Sequence, residues 1–404
     1  MIEDTLLALF TPEGREDPSP HYAALHAAGR VAPVDGGLVV VSGYEELQHA
    51  LRETALEVHD ASFNARHRPE IAVLPSVRVF ADSMLMGRAP GHLRVRRLMA
   101  QAFTPRQVAG LTPAVHRLAE ELVERLAGLC ADGGSADFMT ELAYPLPVRV
   151  IGELLGIPPA DLGRFPALVH DLGKVMDPLL TPDALTAADR AADELLAYFA
   201  DLVAERRRFP QDDLISALAR ARDADNGRLS NRELHANLIL LFVAGFETTA
   251  NLLGNSVALL LDRPRLRDAL RVPRTAEGYV EEVLRYDSPI QLTGRWAVDD
   301  VVIGGTAIPK DSNLLLLLGA GNRDAARYED PGKFDAARPD IKPLSFGAGP
   351  HYCLGAPLAR LEARTALTLL VDRIPGLRAA GPAVRGDWIT VRGFAELPVT
   401  GAAR

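Results

Sequence analysis

Phe346–Gly355 reads Phe-Gly-Ala-Gly-Pro-His-Tyr-Cys-Leu-Gly and is the most informative stretch of the chain. Its three glycines permit backbone conformations that other residues avoid, so the chain can lie close against a flat ligand. Pro357 predicts the start of a helix, which leaves Cys353 just before the helix N-terminus. Unpaired N–H groups and the positive dipole end there favour a thiolate over a thiol. A buried thiolate needs that support, or a metal, or both.

Several interpretations of Cys353 compete. A lone cysteine is most often a small buried hydrophobe, which suits Cys130 on its leucine-rich predicted helix. A phosphate-binding loop is excluded, because the glycines do not follow Gly-x-Gly-x-x-Gly and no Gly-Lys-Ser/Thr is present. Covalent haem attachment is excluded because it needs Cys-x-x-Cys-His. The two cysteines make neither a disulfide framework nor a four-ligand zinc site. A cysteine hydrolase needs a base that the fold places beside the thiol, and His351 is too close to Cys353 along the loop to serve readily as that base. Ligation of haem iron by one thiolate fits best.

The ten residues match the cysteine-loop signature of the cytochrome P450 family, Phe-Gly-x-Gly-x-His-x-Cys-x-Gly, at every fixed position. The continuation Ala-Pro-Leu-Ala-Arg-Leu-Glu, residues 356–362, resembles soluble bacterial members. The resemblance implies a mainly α fold with a small β region, triangular in outline, with haem b between a long central helix and the cysteine loop. It implies Cys353 as the axial iron ligand, with Phe346 against its sulfur and Gly355 beside the cofactor.

A second chemical motif lies in Ala244-Gly245-Phe246-Glu247-Thr248-Thr249, which is apolar on all sides of a predicted helix. Such a helix is buried, so Glu247 is costly there unless it has a partner or a function. Gly245 lowers the stability of the helix by about 1 kcal/mol relative to alanine, so it too requires a reason. Thr248 follows Ala244 by one turn and can turn its hydroxyl towards that carbonyl. The alternative is a satisfied core threonine beside a glutamate that reaches a polar rim.

This segment resembles the family's Ala-Gly-x-Asp/Glu-Thr oxygen-activation motif, which implies a catalytic role for Ala244, Gly245, Glu247 and Thr248. An acid and an alcohol at this position can relay protons to bound dioxygen. A strongly donating thiolate promotes O–O cleavage from the opposite side.

Two further charged groups gain a role from the resemblance. Glu282 and Arg285, spaced i,i+3, are by themselves typical of a solvated surface pair. They resemble the family's Glu-x-x-Arg, and Arg338 stands where relatives supply a third member. We expect these three to form a structural network with no catalytic role.

An acidic protein needs local cations for the two haem propionates, and four residues are candidates for cofactor binding. His92 and Arg96 share a helix face at i,i+4 and resemble the family's His-x-x-x-Arg. Arg295 follows a stretch that lies over the cofactor in relatives, and His351 precedes Cys353 by two residues. Charge-assisted contacts of this type are the strong ones. A solvated arginine face is the better interpretation of Arg94 and Arg97.

Composition limits the remaining classes. The chain has 404 residues, of which 48% are hydrophobic, and a net charge of −9, which does not favour nucleic acid as a partner. No linker or repeat divides it, so we expect residues 1–404 to form a single domain with a helix-rich lobe and a small β-rich lobe. The start lacks the basic and apolar regions of a signal peptide. The most apolar run, Leu238–Phe246, is too short to span a bilayer. A cytoplasmic protein with no membrane contact is expected.

Periodicity predicts a mainly helical protein. The predicted helices cover Leu111–Leu129, Asp189–Arg207, Asn231–Leu261, Thr275–Tyr286 and Leu358–Arg373. Alternation with turn signals predicts strands in Val31–Val41, Trp296–Ile308 and Trp388–Val399. Prolines and glycines predict an irregular loop between Asp335 and Cys353.

Together these features predict a haem-thiolate monooxygenase that inserts one oxygen atom from O2 into a small lipophilic metabolite. Hydroxylation or epoxidation in natural-product tailoring is the reaction that the resemblance implies. Nothing in the chain indicates a fused flavin or iron–sulfur domain, so separate ferredoxin and ferredoxin reductase are expected as electron donors. A basic patch for the ferredoxin is predicted from five arginines, Arg94, Arg97, Arg106, Arg360 and Arg364.

Alternatives remain within and beyond this chemistry. The same fold can perform oxidative coupling or desaturation, or act as a non-catalytic haem-binding recruitment module. A peroxide-driven relative usually lacks the acid–alcohol pair that is intact here. Resemblance places the substrate pocket in residues 63–88 and 165–185 and at Val243, Ala244, Ile290, Gln291, Leu292 and Phe394.

Overall fold

The structure, a computed structural model, describes residues 2–224 and 229–401. Helices dominate this described part of the chain. They are α1 (Ile2–Phe10), α2 (Pro12–Glu16), α3 (Ser19–Ala28), α4 (Tyr44–Ala50), α5 (Ala61–His67), α6 (Pro69–Ala72), α7 (Pro75–Ala81), α8 (Gly91–Met99), α9 (Pro105–Gly110), α10 (Thr112–Cys130), α11 (Pro145–Leu155), α12 (Phe165–Gly173), α13 (Pro182–Arg208), α14 (Leu214–Ala224), α15 (Asn231–Asp262), α16 (Arg267–Leu270), α17 (Pro273–Tyr286), α18 (Leu318–Gly321) and α19 (Ala356–Arg373).

The strands are short and form four small sheets within the same residues. They are β1 (Val31–Val34), β2 (Leu38–Val41), β3 (Leu56–Glu57), β4 (Ala136–Asp137), β5 (Thr293–Ala297), β6 (Val301–Ile303), β7 (Thr306–Ile308), β8 (Asn313–Leu316), β9 (Arg378–Ala379), β10 (Val384–Arg385), β11 (Phe394–Glu396) and β12 (Pro398–Thr400). The main sheet has the order β1-β2-β8-β5-β3, and β2 and β8 are its parallel pair. The smaller sheets are β4-β12-β9, β10-β11 and β6-β7.

Helix α15 runs through the core and positions the site. Ser230 caps it in a capping box with Glu233, which satisfies two N–H groups reciprocally. Its 32 residues extend about 48 Å, and it packs against α11, α13 and α19. By length and composition α15 is also apolar enough to cross a membrane, but 78% of that apolar window is buried inside the protein. It is a core helix.

The predicted helices are confirmed, and each ends within a few residues of its predicted bounds, except that α13 begins seven residues earlier, at Pro182. Val31–Val41 forms the β1-β2 hairpin, and Gly304–Gly305 turns between β6 and β7. The Trp296–Ile308 prediction merged two structures, because Trp296 belongs to β5 of the main sheet. Trp388, the start of the third predicted strand region, lies between β10 and β11 and belongs to neither strand.

The cysteine loop lies where two hydrophobic cores meet. The larger core is helical and includes Leu358 and Leu361 of α19. A smaller core under the main sheet includes Leu344 and Ala348. The loop is therefore anchored on both sides, which fixes the backbone around Cys353.

Candidate active site

The cysteine loop is held by its backbone. The Cys353 N–H donates to the Phe346 carbonyl at 2.9 Å. Gly347 and Gly349 have φ values of 70° and 67°, a region that side chains disfavour. A Cβ at Gly349 would lie 2.5 Å from the Leu51 carbonyl oxygen. Glycine is therefore required where the loop passes the end of α4.

Cys353 presents its thiol to an interior cavity, and this is the sense in which the side chain is exposed. Surrounding protein desolvates the sulfur, and this burial raises the pKa of the Cys353 thiol. The N–H groups of Gly355 and Ala356 and the charges of Arg96 and Arg360 oppose that rise without cancelling it. The helix end that the sequence predicted is present, since α19 begins at Ala356. The effect of burial on the pKa of the thiol outweighs the effect of this helix end.

The structure brings four basic side chains together near the thiol. His92 and His351 stack with ring centroids 4.1 Å apart, and Arg96 donates to the Tyr352 carbonyl at 2.5 Å. Burial, with the charges of Arg295, His92 and Arg96, lowers the pKa of His351 to about 3. Burial alone lowers the pKa of Arg295 to about 10. Within the described residues none of the four pairs with a carboxylate, so the positive charges of Arg96 and Arg295 are uncompensated.

The alcohol of the central helix faces the same cavity. The Thr248 hydroxyl donates to the Ala244 carbonyl at 2.9 Å, which confirms the predicted contact. Ala244, Gly245 and Thr248 all line the cavity wall. A Cβ at Gly245 would lie 3.4 Å from Ile151 Cδ1, so this glycine also allows α11 to approach α15 closely.

Glu247 points elsewhere. Its carboxylate is buried and does not line the cavity. Oε1 lies 3.4 Å from Nδ1 of His170 in α12, and Oε2 is buried without a hydrogen-bond partner among the described residues. The structure therefore supplies the partner that a buried acid requires, and the sequence did not identify it.

The cavity has a volume of about 700 Å³, within the range of small-molecule sites. Predicted segments 63–88 and 165–185 both contribute to its wall, as do Ile290 and Leu292. Three of the six methionines, Met84, Met86 and Met176, also line it. Methionine is an adaptable lining for irregular apolar ligands.

Three predicted pocket residues are not among those that line the cavity. Val243 packs against the helical core. Gln291 turns the other way, accepting from the Tyr22 hydroxyl and donating to the Ser288 carbonyl. Phe394 is buried beneath the Arg385 guanidinium, whose central carbon lies 3.9 Å from the ring centroid. Side-chain direction, which residue spacing does not determine, separates these positions from Ile290 and Leu292.

The predicted charge network forms. Glu282 and Arg285 are fully buried and paired through two hydrogen bonds of 2.7 and 2.8 Å. Arg338 Nε lies 3.2 Å from Glu282 Oε1. Arg285 also donates to the carbonyls of Asn322, Pro331 and Lys333, which ties α17 to the segment before the cysteine loop.

Two wall residues escaped the sequence analysis as site candidates. His59 stacks on Phe63 at 4.1 Å and lies 3.3 Å from the Arg295 carbonyl. Glu362 of α19 is fully buried without a hydrogen-bond partner on Oε2, and burial raises its pKa well above the usual range. A glutamate among the apolar positions of α19 was the available signal for the second. Nothing local marked the first.

Comparison with known proteins agrees with this geometry. The family model described as cytochrome P450 matches residues 166–272 and 276–374. The chain is 37% identical over 396 residues to 6-deoxyerythronolide B hydroxylase of Saccharopolyspora erythraea, which covers 94% of each chain. The chain belongs to the cytochrome P450 family. Mycinamicin IV hydroxylase/epoxidase of Micromonospora griseorubida is 40% identical over 319 residues, 77% of each.

A solved structure extends the likeness to three dimensions. The tirandamycin C-bound P450 monooxygenase TamI superposes with a TM-score of 0.83 at 35% identity, covering 95% of this chain and 97% of that one. The mainly helical fold with small sheets is thus the family fold, and this cytochrome P450 is an oxidoreductase of the monooxygenase type. The predicted family and fold class are confirmed.

Family members carry haem iron on a cysteine thiolate, and the residues of this cytochrome P450 fit that group. Nε2 of His92 is buried and has no hydrogen-bond partner among the described residues. Arg295 is a buried cation with no carboxylate beside it. A buried ring nitrogen without a hydrogen-bond partner and a buried cation without a counter-charge both lower the stability of the fold unless an anionic group binds them. The propionates of a haem would be groups of this kind, and the cavity-facing thiol of Cys353 would be in position to serve as the iron ligand.

Proposed function

We propose that this cytochrome P450 inserts one oxygen atom from O2 into a small lipophilic metabolite, by hydroxylation or epoxidation, in natural-product tailoring. One observation carries the proposal. A mostly apolar cavity of about 700 Å³ has the Cys353 thiol on one wall and the Thr248–Ala244 hydrogen bond on another. The relatives named 6-deoxyerythronolide B hydroxylase and mycinamicin IV hydroxylase/epoxidase support the same reaction class.

When bound, haem b supplies the chemistry that activates oxygen. In this proposal Cys353 ligates the iron, and Phe346 and Gly355 line its side of the cavity. His92, Arg96, Arg295 and His351 hold the propionates. Arg96 and Arg295 would supply the positive charge for the propionates, and such charge-assisted hydrogen bonds are strong.

Thr248 is the proton-handling group at the cavity wall. Its hydroxyl donates to Ala244, so its oxygen lone pairs are directed away from that bond and are free to accept a proton from an acid or water. Glu247 is the acid nearest in sequence, and it is the proposed source. Ala244 and Gly245 line the cavity beside this hydroxyl, where oxygen bound to the cofactor would meet it.

Substrate selection is proposed to rest on shape and apolar contact. Met84, Met86, Met176, Ile290 and Leu292 line the cavity. Burial of a ligand against such side chains yields about 25 cal/mol per Å² of apolar surface. This favours a hydrophobic scaffold of the size that the cavity admits.

Electrons are proposed to come from a separate ferredoxin and its reductase, in the cytoplasm. Of the five arginines predicted to form the docking patch, three are already paired with carboxylates. Arg94, Arg360 and Arg364 pair with Glu233, Glu281 and Glu277.

Arg97 and Arg106 are exposed and form no ion pair within the described residues. Reversal of these two charges should slow reduction of the haem, more at low salt than at high salt. The matched control is Arg271→Glu, an exposed arginine paired with Asp268. Unchanged stopped-flow reduction rates in the Arg97→Glu/Arg106→Glu variant would reject this docking face.

A substrate-binding screen tests the proposed function. Purified holoprotein is titrated with polyketide, terpenoid and other lipophilic metabolites while its Soret band is followed. Ligands that shift the band are then incubated with O2, ferredoxin and reductase. Products that gain one oxygen atom in mass are expected. A holoprotein that binds such ligands yet returns them unchanged under these conditions contradicts the proposal.

A further inference from the structure

We propose that His170 is the solvent-side member of a proton path that runs through Glu247 towards Thr248. The proposal rests on the proposed function, because it assigns the proton source for that oxygen chemistry. It assigns a role to a residue that no sequence motif indicates.

The geometry joins a buried acid to solvent through one ring. Nδ1 of His170 lies 3.4 Å from Oε1 of Glu247. The His170 side chain is 43% exposed, whereas that of Glu247 is 11% exposed. Among the described residues no other side chain donates to the Glu247 carboxylate. The neighbouring amide of Asn251 donates to the Glu247 backbone carbonyl instead. Protons that reach Glu247 by way of a side chain therefore pass through His170.

The ring is fixed by its surroundings. His170 packs against Trp388 with ring centroids 5.2 Å apart. A Cβ at Gly173, on the same helix, would lie 2.3 Å from Trp388 Cη2, so α12 is flush against the indole. Asp177 accepts from the N–H groups of Ile389 and Thr390 and closes the contact. Packing of this type holds an imidazole at one distance from its partner.

The charges around His170 favour its protonated form. Glu247 and Asp387 are acidic neighbours and Lys174 is a basic one, paired with Asp387 at 2.9 Å. Asp171 of α12 is engaged by Arg190 of α13. The hydrogen bond to Glu247 raises the pKa of His170, against the opposing effect of burial. Tyr144 also lies within the field of Glu247, but burial raises its pKa to about 12, and its hydroxyl donates to the Phe394 carbonyl.

The proton step is balanced within these groups. The imidazolium gives its Nδ1 proton to the Glu247 carboxylate, which becomes a neutral acid, and the ring becomes neutral. Water at the exposed side of the ring returns a proton to it. Glu247 Oε2 has no partner to hold the carboxyl in place, so the acid is free to turn. It then delivers its proton, directly or through water, to the Thr248 hydroxyl at the cavity wall.

The first test measures His170 without turnover. Imidazole Cε1–H resonances of the diamagnetic reduced carbonyl holoprotein are followed against pH. His170 should titrate above its ordinary value of about 6.5, and Glu247→Gln should lower that pKa. His235, whose pKa burial and Arg207 lower, is the internal reference and should not respond. A His170 titration that is indifferent to Glu247→Gln overturns the proposal.

The second test measures turnover with matched variants. His170→Phe keeps a ring against Trp388 but removes both nitrogens. Lys174→Gln alters the adjacent turn of the chain and its ion pair with Asp387, and it leaves Glu247 untouched. The rate of product formation and the product formed per reductant are measured between about pH 5 and 8, where histidine changes charge.

The wild-type rate should fall as pH rises through the His170 pKa, because the imidazolium is lost. His170→Phe should lose this dependence and fall by about 10²-fold at the acid end, the lower range for a positioned acid. Lys174→Gln should keep the pH dependence, with its midpoint moved to higher pH because the Lys174 charge lowers the pKa of His170. If the wild-type protein turns over substrate and His170→Phe matches it in rate and pH profile, the proton path through His170 is rejected and the proposed function stands. If wild-type holoprotein oxidises none of the ligands it binds, the proposed function fails.

Discussion

Glu282→Gln is the most informative perturbation of the folded state. The carboxylate is fully buried and binds Arg285 at 2.7 and 2.8 Å, Arg338 at 3.2 Å, and the N–H of Asp335 at 2.9 Å. Glutamine keeps the volume and removes the charge. Two guanidinium groups then face a neutral amide. The NH₂ group of the glutamine replaces an oxygen that accepted hydrogen bonds, so it faces an N–H donor to which it cannot bond.

Its magnitude follows from this geometry. Breaking a buried pair by neutralising one partner costs about 3–5 kcal/mol. A chain of 404 residues unfolds with an entropy of roughly 0.85 kcal/mol per kelvin, so the midpoint should fall by about 4–6 °C. The damage should reach the haem site, because Arg285 donates to the Asn322 carbonyl and Asn322 accepts from the Leu344 N–H just before the cysteine loop.

The assay compares two probes and a matched control. Urea unfolding is followed by helical circular dichroism and by the Soret band of the reduced carbonyl complex, with thermal midpoints measured in parallel. Asp268→Asn neutralises an acid with the same i,i+3 spacing, but its side chain is 79% exposed, so it should cost no more than about 0.5 kcal/mol. If the two variants unfold alike, the argument from buried charge is wrong.

Three further outcomes are expected. Thr248→Ala should retain haem yet divert reducing equivalents to peroxide, lowering product per reductant by about tenfold or more; coupling equal to wild type would contradict the role of the hydroxyl. Cys353→Ser should lose the red-shifted Soret band of the reduced carbonyl complex and the activity, and Cys130→Ser serves as its comparison because that thiol is buried and does not line the cavity. Gly349→Ala should cost at least about 1–3 kcal/mol and weaken haem retention, because of its positive φ and the 2.5 Å approach to Leu51. Gly332→Ala is the control, because a Cβ at that position meets nothing within 4 Å. It should leave the free energy of unfolding, measured by denaturation, unchanged.

The loops and ligand-bearing motifs were predictable because they are local. Residues from Phe346 to Gly355 specify their own backbone through glycine and proline, and the spacing of Ala244 and Thr248 on one helix sets their hydrogen bond. The pairing of Glu282 with Arg285 is equally local, since i,i+3 positions meet on any helix.

The substrate wall was less predictable. Ile290 and Leu292 face the cavity while Gln291 between them turns towards Tyr22, which follows the alternation of an extended segment and the packing on each side of it. Phe394 was expected at the pocket but lies under Arg385, because the C-terminal strands pack against the core through that ring.

What the sequence determined by itself is chemistry written in contiguous residues: a cysteine before a helix, an alcohol one turn from a carbonyl, and a mainly helical chain around them. What only the tertiary structure decided is the meeting of distant positions. Glu247 and His170 are 77 residues apart, and no periodicity in either helix indicates the other. Their contact depends on how α12 packs against α15 and Trp388, and packing is a property of the whole folded chain.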